Sequence, residues 1–225
     1  MPYRTTPFSN GSYYHVFNRG VNKLEIYSSN RDYRQALLSM DYYRFVKPVM
    51  KLSKFKELIA TSQSTIITSQ LNANTTLVDI LCFVLMPNHF HFLLKQNTDN
   101  GISRFISQFS NSYTRYYNTA HNRSGHLFQG QFKAVEIESE EQLVHVSRYI
   151  HLNPLVSGLS TKNTLSDFQW SSYKDYLIHK SYYVQSTDIL AIFKSSKNYE
   201  SFVLDHSDYA RELELIKHLT LDIEP

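Results

Sequence analysis

Residues 77–95 read LVDILCFVLMPNHFHFLLK: an apolar run, a Pro-Asn pair, and a second apolar run that carries His89 and His91 one residue apart. The pattern predicts two strands joined by a tight turn at Pro87 and Asn88, a hairpin that belongs at the centre of a sheet. Strand side chains alternate between faces, so His89 and His91 share one face while Phe90, Phe92 and Leu94 take the other. Two adjacent imidazoles suggest a metal site. A strand with one wet face also carries histidines for no chemical reason, so the pair alone does not decide.

Working outward, SYYHVFNR (12–19) is rich in β-formers and is followed by Gly20, which predicts a first strand ending in a turn. Ser29 or Asn30 can cap a helix running through Tyr33, Leu37, Leu38, Met40 and Tyr43 to about Val46, with Pro48 beyond it. Residues 47–76 differ in character. A short helix over 54–60 is expected to give way to TSQSTIITSQLNANTT, read as a loop or insertion. After the hairpin, Gly101 to about Ala120 has amphipathic helical spacing, HNRSGHLFQGQ reads as a glycine-punctuated loop, and 132–137 is a further strand.

Ser139 and Gln142 form a capping box for a helix expected over 140–152, with Leu143, Val146 and Ile150 as its core stripe and Pro154 as its stop. Tyr149 and Asn153, four apart, share one side of that helix and could point together at the sheet. His151 faces away from Tyr149 by the same spacing, and His15 on the first strand reads as structural. The order β, α, β-hairpin, α, β, α predicts an α+β fold with helices packed on an antiparallel sheet. A catalytic domain is expected over 1–178. Residues 179–225 are expected to form a C-terminal helical extension, with Ile189, Leu190, Ile192, Phe193, Phe202 and Leu204 packed rather than disordered.

Composition narrows the function. In 225 residues, 42% hydrophobic and 19% charged, no apolar run approaches the ~20 residues of a membrane span, and MPYRTTPFSN lacks an apolar signal region. The expectation is one main domain with no membrane partner, cytoplasmic and nucleoid-associated. Cys82 is the sole cysteine, which excludes an internal disulfide and a Cys-based zinc cluster. Net charge is only +3, a weak argument for a polyanion partner, but its distribution says more. Residues 100–135 hold no Asp or Glu, yet carry Arg104, Arg115, Arg123 and Lys133 among many aromatics. That mixture suits single-stranded nucleic acid, with cations on phosphates and aromatic faces under bases. Phe105, Phe109, Tyr113 and Tyr116, however, fall at helical spacing and are expected to face the sheet. With Arg148 added, the four cations are the backbone-contact candidates.

The residues SYYHVFNRG, CFVLMPNHFHFLL, SYTRYYNTAHNRSGHLFQGQFKA and RYIHLNPLVSGL followed by FQWSSYKDY resemble, in order, the single-tyrosine HUH transposases, within them the REP-associated tyrosine transposase group. The resemblance implies a ferredoxin-like, RRM-like fold, Tyr149 as nucleophile, and His89, His91 and Asn153 around Mg²⁺ or Mn²⁺. Many single-tyrosine relatives carry Gln where this chain has Asn153. It further implies cleavage and rejoining of single-stranded DNA at hairpin-forming repeats through a 5′-phosphotyrosine, and leaves monomer and homodimer open. A neutral tyrosine, with pKa ~10, is a poor nucleophile, which is why such chemistry needs an electrophile made more receptive by a cation. Two alternatives stand beside this reading: a domesticated nucleic-acid-binding or repeat-processing protein that does not transpose, and an unrelated metal hydrolase that activates water.

Overall fold

The computed structural model describes residues 7–73, 76–178, 181 and 183–205. In chain order the elements are β1 (Tyr13–Arg19), α1 (Asn30–Tyr43), α2 (Leu52–Glu57), α3 (Ala60–Asn72), β2 (Val78–Met86), β3 (His89–Gln96), α4 (Gly101–Ala120), β4 (Lys133–Ile137), α5 (Glu140–Val156), α6 (Tyr173–Ile178), α7 (Thr187–Phe193) and α8 (Ser196–Leu204). The four strands form one antiparallel sheet in the order β2-β3-β1-β4. With α1 preceding β2 and α4 preceding β4, this is the βαββαβ ferredoxin-like arrangement expected from the element order. Among the described residues no helix is long and apolar enough to cross a membrane.

The alternation read from the hairpin divides the sheet into two faces. Phe90 and Phe92 stack against each other and meet Phe109 edge-on, so that face is covered by α4. α1 lies beside α4 on the same face, its start fixed by a capping box between Ser29 and Asp32. His89 and His91 therefore point to the opposite face, over which α5 runs. Tyr113 donates its hydroxyl to the Ile26 carbonyl and Tyr117 donates to Glu25, so the tyrosines of α4 anchor the loop after β1. Tyr117, rather than the expected Tyr116, is the buried one of that pair.

Two sequence expectations fail for identifiable reasons. The polar stretch after residue 60 is helical: α3 docks Ile67 and Gln70 beside Tyr42, Phe45, Leu52 and Phe55 in a small second core. Gln63 donates to the carbonyls of Phe55 and Leu58, and Gln70 donates to that of Lys47. Packing and these amide bonds outweigh the weak helix propensity of Ser and Thr. Pro154 does not stop α5, which continues to Val156. Sitting in the last turn, the proline removes one hydrogen bond, while its own carbonyl still accepts from Leu159 and Ser160.

The C-terminal helices share the main core. Ile189, Tyr199 and Val203 are fully buried in the cluster that holds the sheet, so the described part of 179–225 is continuous with the fold. Residues 206–225 lie outside the described residues. Only β3 of the hairpin is central, contrary to the expectation for both strands; β2 is an edge strand, and its open edge is protected, with Leu85 donating to Trp170, Ser172 to Phe83 and Gln185 to Ile80.

Candidate active site

The two histidines sit at the start of β3, immediately after a turn that the rest of the chain holds in place. The Gly20 amide donates to the Asn88 carbonyl at 2.7 Å, and the Ile26 and Tyr27 amides both donate to the Pro87 carbonyl. Gly20 must be glycine here, because a Cβ would lie 2.3 Å from the Leu24 carbonyl oxygen. The β1 end and its loop thereby fix the hairpin from which His89 and His91 project.

The His89 and His91 rings stand perpendicular, their centroids 5.0 Å apart. His89 donates through Nδ1 to Asn88 Oδ1 at 2.6 Å, which leaves the lone pair on Nε2. His91 is buried, and its Nδ1 lies 2.9 Å from Nε2 of His15, itself fully buried on β1. The His15 and His91 rings stack at 5.0 Å with Phe17 beside both. Tyr149 arrives from α5 edge-on to this group, 5.3 Å from the His91 centroid and 5.9 Å from His15.

Asn153 lies one helical turn beyond Tyr149, buried, and donates Nδ2 to the Tyr149 carbonyl at 3.2 Å. The continuation of the helix through Pro154 keeps Asn153 helical and on the Tyr149 side. Among the described residues no group of three or more His, Cys, Asp or Glu side chains is arranged to hold a metal ion. A cation on this face would accordingly need a donor of another type beside the two imidazoles. The donor chemistry fits this: two imidazoles and an amide oxygen from Asn153 make an N,N,O set of a type that a divalent ion takes.

Sequence reading set His15 aside as structural, and the structure buries it against His91. The signal was available, since strand alternation puts His15 on the same face as Phe17, but its contact with His91 depends on β1 pairing with β3. His151 does face away: it bridges Tyr199 Oη at 2.7 Å and Ser172 Oγ at 2.8 Å. Full burial keeps His151 neutral, so one of its ring nitrogens donates and the other accepts in this pair of bonds. Burial pushes its pKa down to about 3. Tyr116 and Tyr117, the rival nucleophiles, stand on the far face of the sheet, with burial as the main cause raising both phenols, Tyr116 to about 12.

The five basic candidates scatter. Lys133 is exposed on β4, directly opposite Phe17 in register, and so lies on the histidine face. Arg104 and Arg115 are exposed on α4 across the sheet, Arg104 donating to the Val46 carbonyl. Arg123 braces its own loop through Asn118 Oδ1 and the His126 carbonyl. Arg148 corrects the expectation of an exposed phosphate contact: it is 3% exposed, its guanidinium 4.9 Å from the Phe202 ring of α8.

The fold is thus a ferredoxin-like sheet that carries a histidine pair and a helix-borne tyrosine together on the face covered by α5. Residues 51–153 match the family model described as Transposase IS200 like, a span that includes His89, His91, Tyr149 and Asn153. No curated protein matches the chain. Among solved structures it is similar to a REP-associated tyrosine transposase bound to a REP hairpin, at 15% identity over 79% of this chain and 86% of that one, TM-score 0.49. It is also similar to a protein of Deinococcus radiodurans R1 described provisionally as a transposase (13% identity, 66% and 95% covered, TM-score 0.36). A third is tRNA(His) guanylyltransferase of Saccharomyces cerevisiae (13% identity, 99% and 85% covered, TM-score 0.34). Likenesses this distant transfer neither a reaction nor a ligand.

Proposed function

We propose that the protein cuts and rejoins single-stranded DNA beside hairpin-forming repeats, as a REP-associated tyrosine transposase would, with Tyr149 as the nucleophile. The observation that carries this reading is the edge-on approach of Tyr149 to His91, both within residues 51–153 that match the transposase model, with His15 beside them. The Tyr149 oxygen attacks the phosphorus of the scissile phosphodiester and loses its proton. The bond to the 3′-oxygen breaks, and that oxygen leaves as a 3′-hydroxyl after taking up a proton. Attack on the 5′-phosphotyrosine by another 3′-hydroxyl rejoins strands and returns the phenol, with no external energy source.

His89 and His91, with Asn153 Oδ1, are the residues that would hold Mg²⁺ or Mn²⁺. Such an ion, when bound, supplies charge that makes the scissile phosphate more receptive to attack. His15 acts as a positioning residue: when His91 donates Nδ1–H to it, His91 presents its Nε2 lone pair outward. Lys133, on the same face, is the backbone-contact residue this reading retains from the five candidates.

The test is incubation with single-stranded DNA that folds into a repeat hairpin, with Mn²⁺, followed by denaturing electrophoresis. The expected result is a covalent protein–DNA adduct that Tyr149→Phe abolishes. An adduct that persists in Tyr149→Phe overturns the assignment of the nucleophile. Turnover without an adduct points instead to a hydrolase.

A further inference from the structure

On the face of the sheet away from the histidines, a cleft of about 910 Å³ opens between α1, the 48–53 connection with α2, and α4. Its charged lining is all of one sign. Arg31, Lys51, Lys56 and Arg115 border it, and no Asp or Glu does. Asp32, the nearest carboxylate on α1, is buried and committed to Ser29, Tyr116 and His121.

One of these cations is held in position. The Lys56 ammonium donates to Gln35 Oε1 at 2.7 Å and lies 5.8 Å from the Tyr116 ring centroid. Gln35 is itself buried and donates to Ser39. Arg31, Lys51 and Arg115 are exposed and make no ion pair among the described residues. Four cations around one concavity repel each other, and a cleft lined by one sign of charge concentrates its field on an incoming anion. The walls between them combine apolar and aromatic surface, from Tyr43, Pro48 and Met50, all half-buried, with the polar side chains of Ser53, Gln108, Asn111 and Ser112.

We propose that this cleft is a second nucleic-acid site, which takes an unpaired stretch of DNA with phosphates on Arg31, Lys51, Lys56 and Arg115 and bases against Tyr43, Pro48 and Met50. The proposal rests on the reading of DNA as substrate. A duplex offers a concavity its backbone and base edges, because its base faces are stacked inside. An unpaired strand offers both the anion and the apolar ring that this lining matches. The site exists because residues 47–76 fold: without α2 and the 48–53 connection, α4 and α1 would leave Arg31 and Arg115 on an open surface. The cleft and Tyr149 lie on opposite faces of the sheet, so the site holds a segment distinct from the one being cut.

The experiment is fluorescence anisotropy with a labelled, unstructured oligothymidine of about 15 nucleotides, and separately with a blunt duplex, across a salt series. The variant is Arg31→Ala/Lys51→Ala/Arg115→Ala, whose changes are all at exposed side chains, with its melting temperature checked against the unaltered chain. The expected result is a loss of oligothymidine affinity of about 10-fold or more, and a salt slope reduced by about 2, at ~0.7 per phosphate contact removed. Unchanged affinity and slope overturn the proposal, and so does a loss as large for the blunt duplex. The adduct assay on the same proteins separates the two readings. A missing adduct beside an intact cleft effect counts against the transposase chemistry alone, while an adduct with no cleft effect counts against the cleft alone.

Discussion

The two faces of the sheet use the same strands for opposite purposes. On the α4 face, Phe90, Phe92, Phe105 and Phe109 interlock with nothing polar between them. On the α5 face the equivalent layer is His15, His91 and Tyr149, also buried, with the two imidazoles joined through ring nitrogens and the tyrosine ring edge-on to them. Burying polar groups costs free energy unless they are paired, so a layer of this kind gives less stability than the phenylalanines across from it. The α4 face holds the fold, and the α5 face carries the residues of the proposed site.

That contrast is open to direct attack. The largest expected effect is on activity: Tyr149→Phe should lower adduct formation by at least ~10³-fold while leaving the melting temperature nearly unchanged, since only the hydroxyl is removed. If Tyr116→Phe gives the same loss, the division of the faces is wrong. Phe109→Ala should do the reverse, costing about 3–5 kcal/mol by opening a cavity, a fall in Tm of roughly 10 °C read by calorimetry. At His15 the two faces should behave least alike. His15→Phe should weaken Mn²⁺ binding, measured by titration calorimetry, by roughly 10- to 100-fold, and His15→Gln, which can still accept from His91 Nδ1, should restore much of it. Equal affinity in all three would remove His15 from the site.

The smallest effect concerns His151, behind α5. Its folded pKa is lowered from 6.5 to about 3, so below pH 6.5 the unfolded chain binds the proton more readily than the folded one. The stability from the neutral form is fully present above pH 6.5 and is lost as pH falls toward 3, at up to about 1.4 kcal/mol per pH unit. Urea midpoints between pH 7 and pH 5 should fall with acid, and less steeply in His151→Gln.

Much of this was legible because it is local. The hairpin, its turn and the separation of His89 and His91 from Phe90 and Phe92 follow from period-two alternation within one strand. The spacing of Tyr149 and Asn153 follows from one helix. What failed had non-local causes. Helix α3 is polar by composition and owes its existence to the docking of Ile67 beside Phe55 and Tyr42. Arg148 looks like a surface cation in sequence, and only α8, arriving some fifty residues later with Phe202, buries it.

The basic and aromatic residues of 100–135 make the same point. Sequence alone showed that this stretch lacks acids and that its phenylalanines recur at helical spacing. It could not show that Arg115 would join Arg31, Lys51 and Lys56 around a cleft on one face while Lys133 went to the other. Sequence by itself determined the order of elements, the facing of each strand and the pairing of tyrosine with asparagine. The tertiary structure decided which of these faces meet. Placing β1 between β3 and β4 brought His15 to His91, and laying α5 across that face brought Tyr149 to both. The physical reason is that periodicity fixes a side chain's direction within its own element, whereas its neighbours are set by strand order and helix docking, which no local pattern encodes.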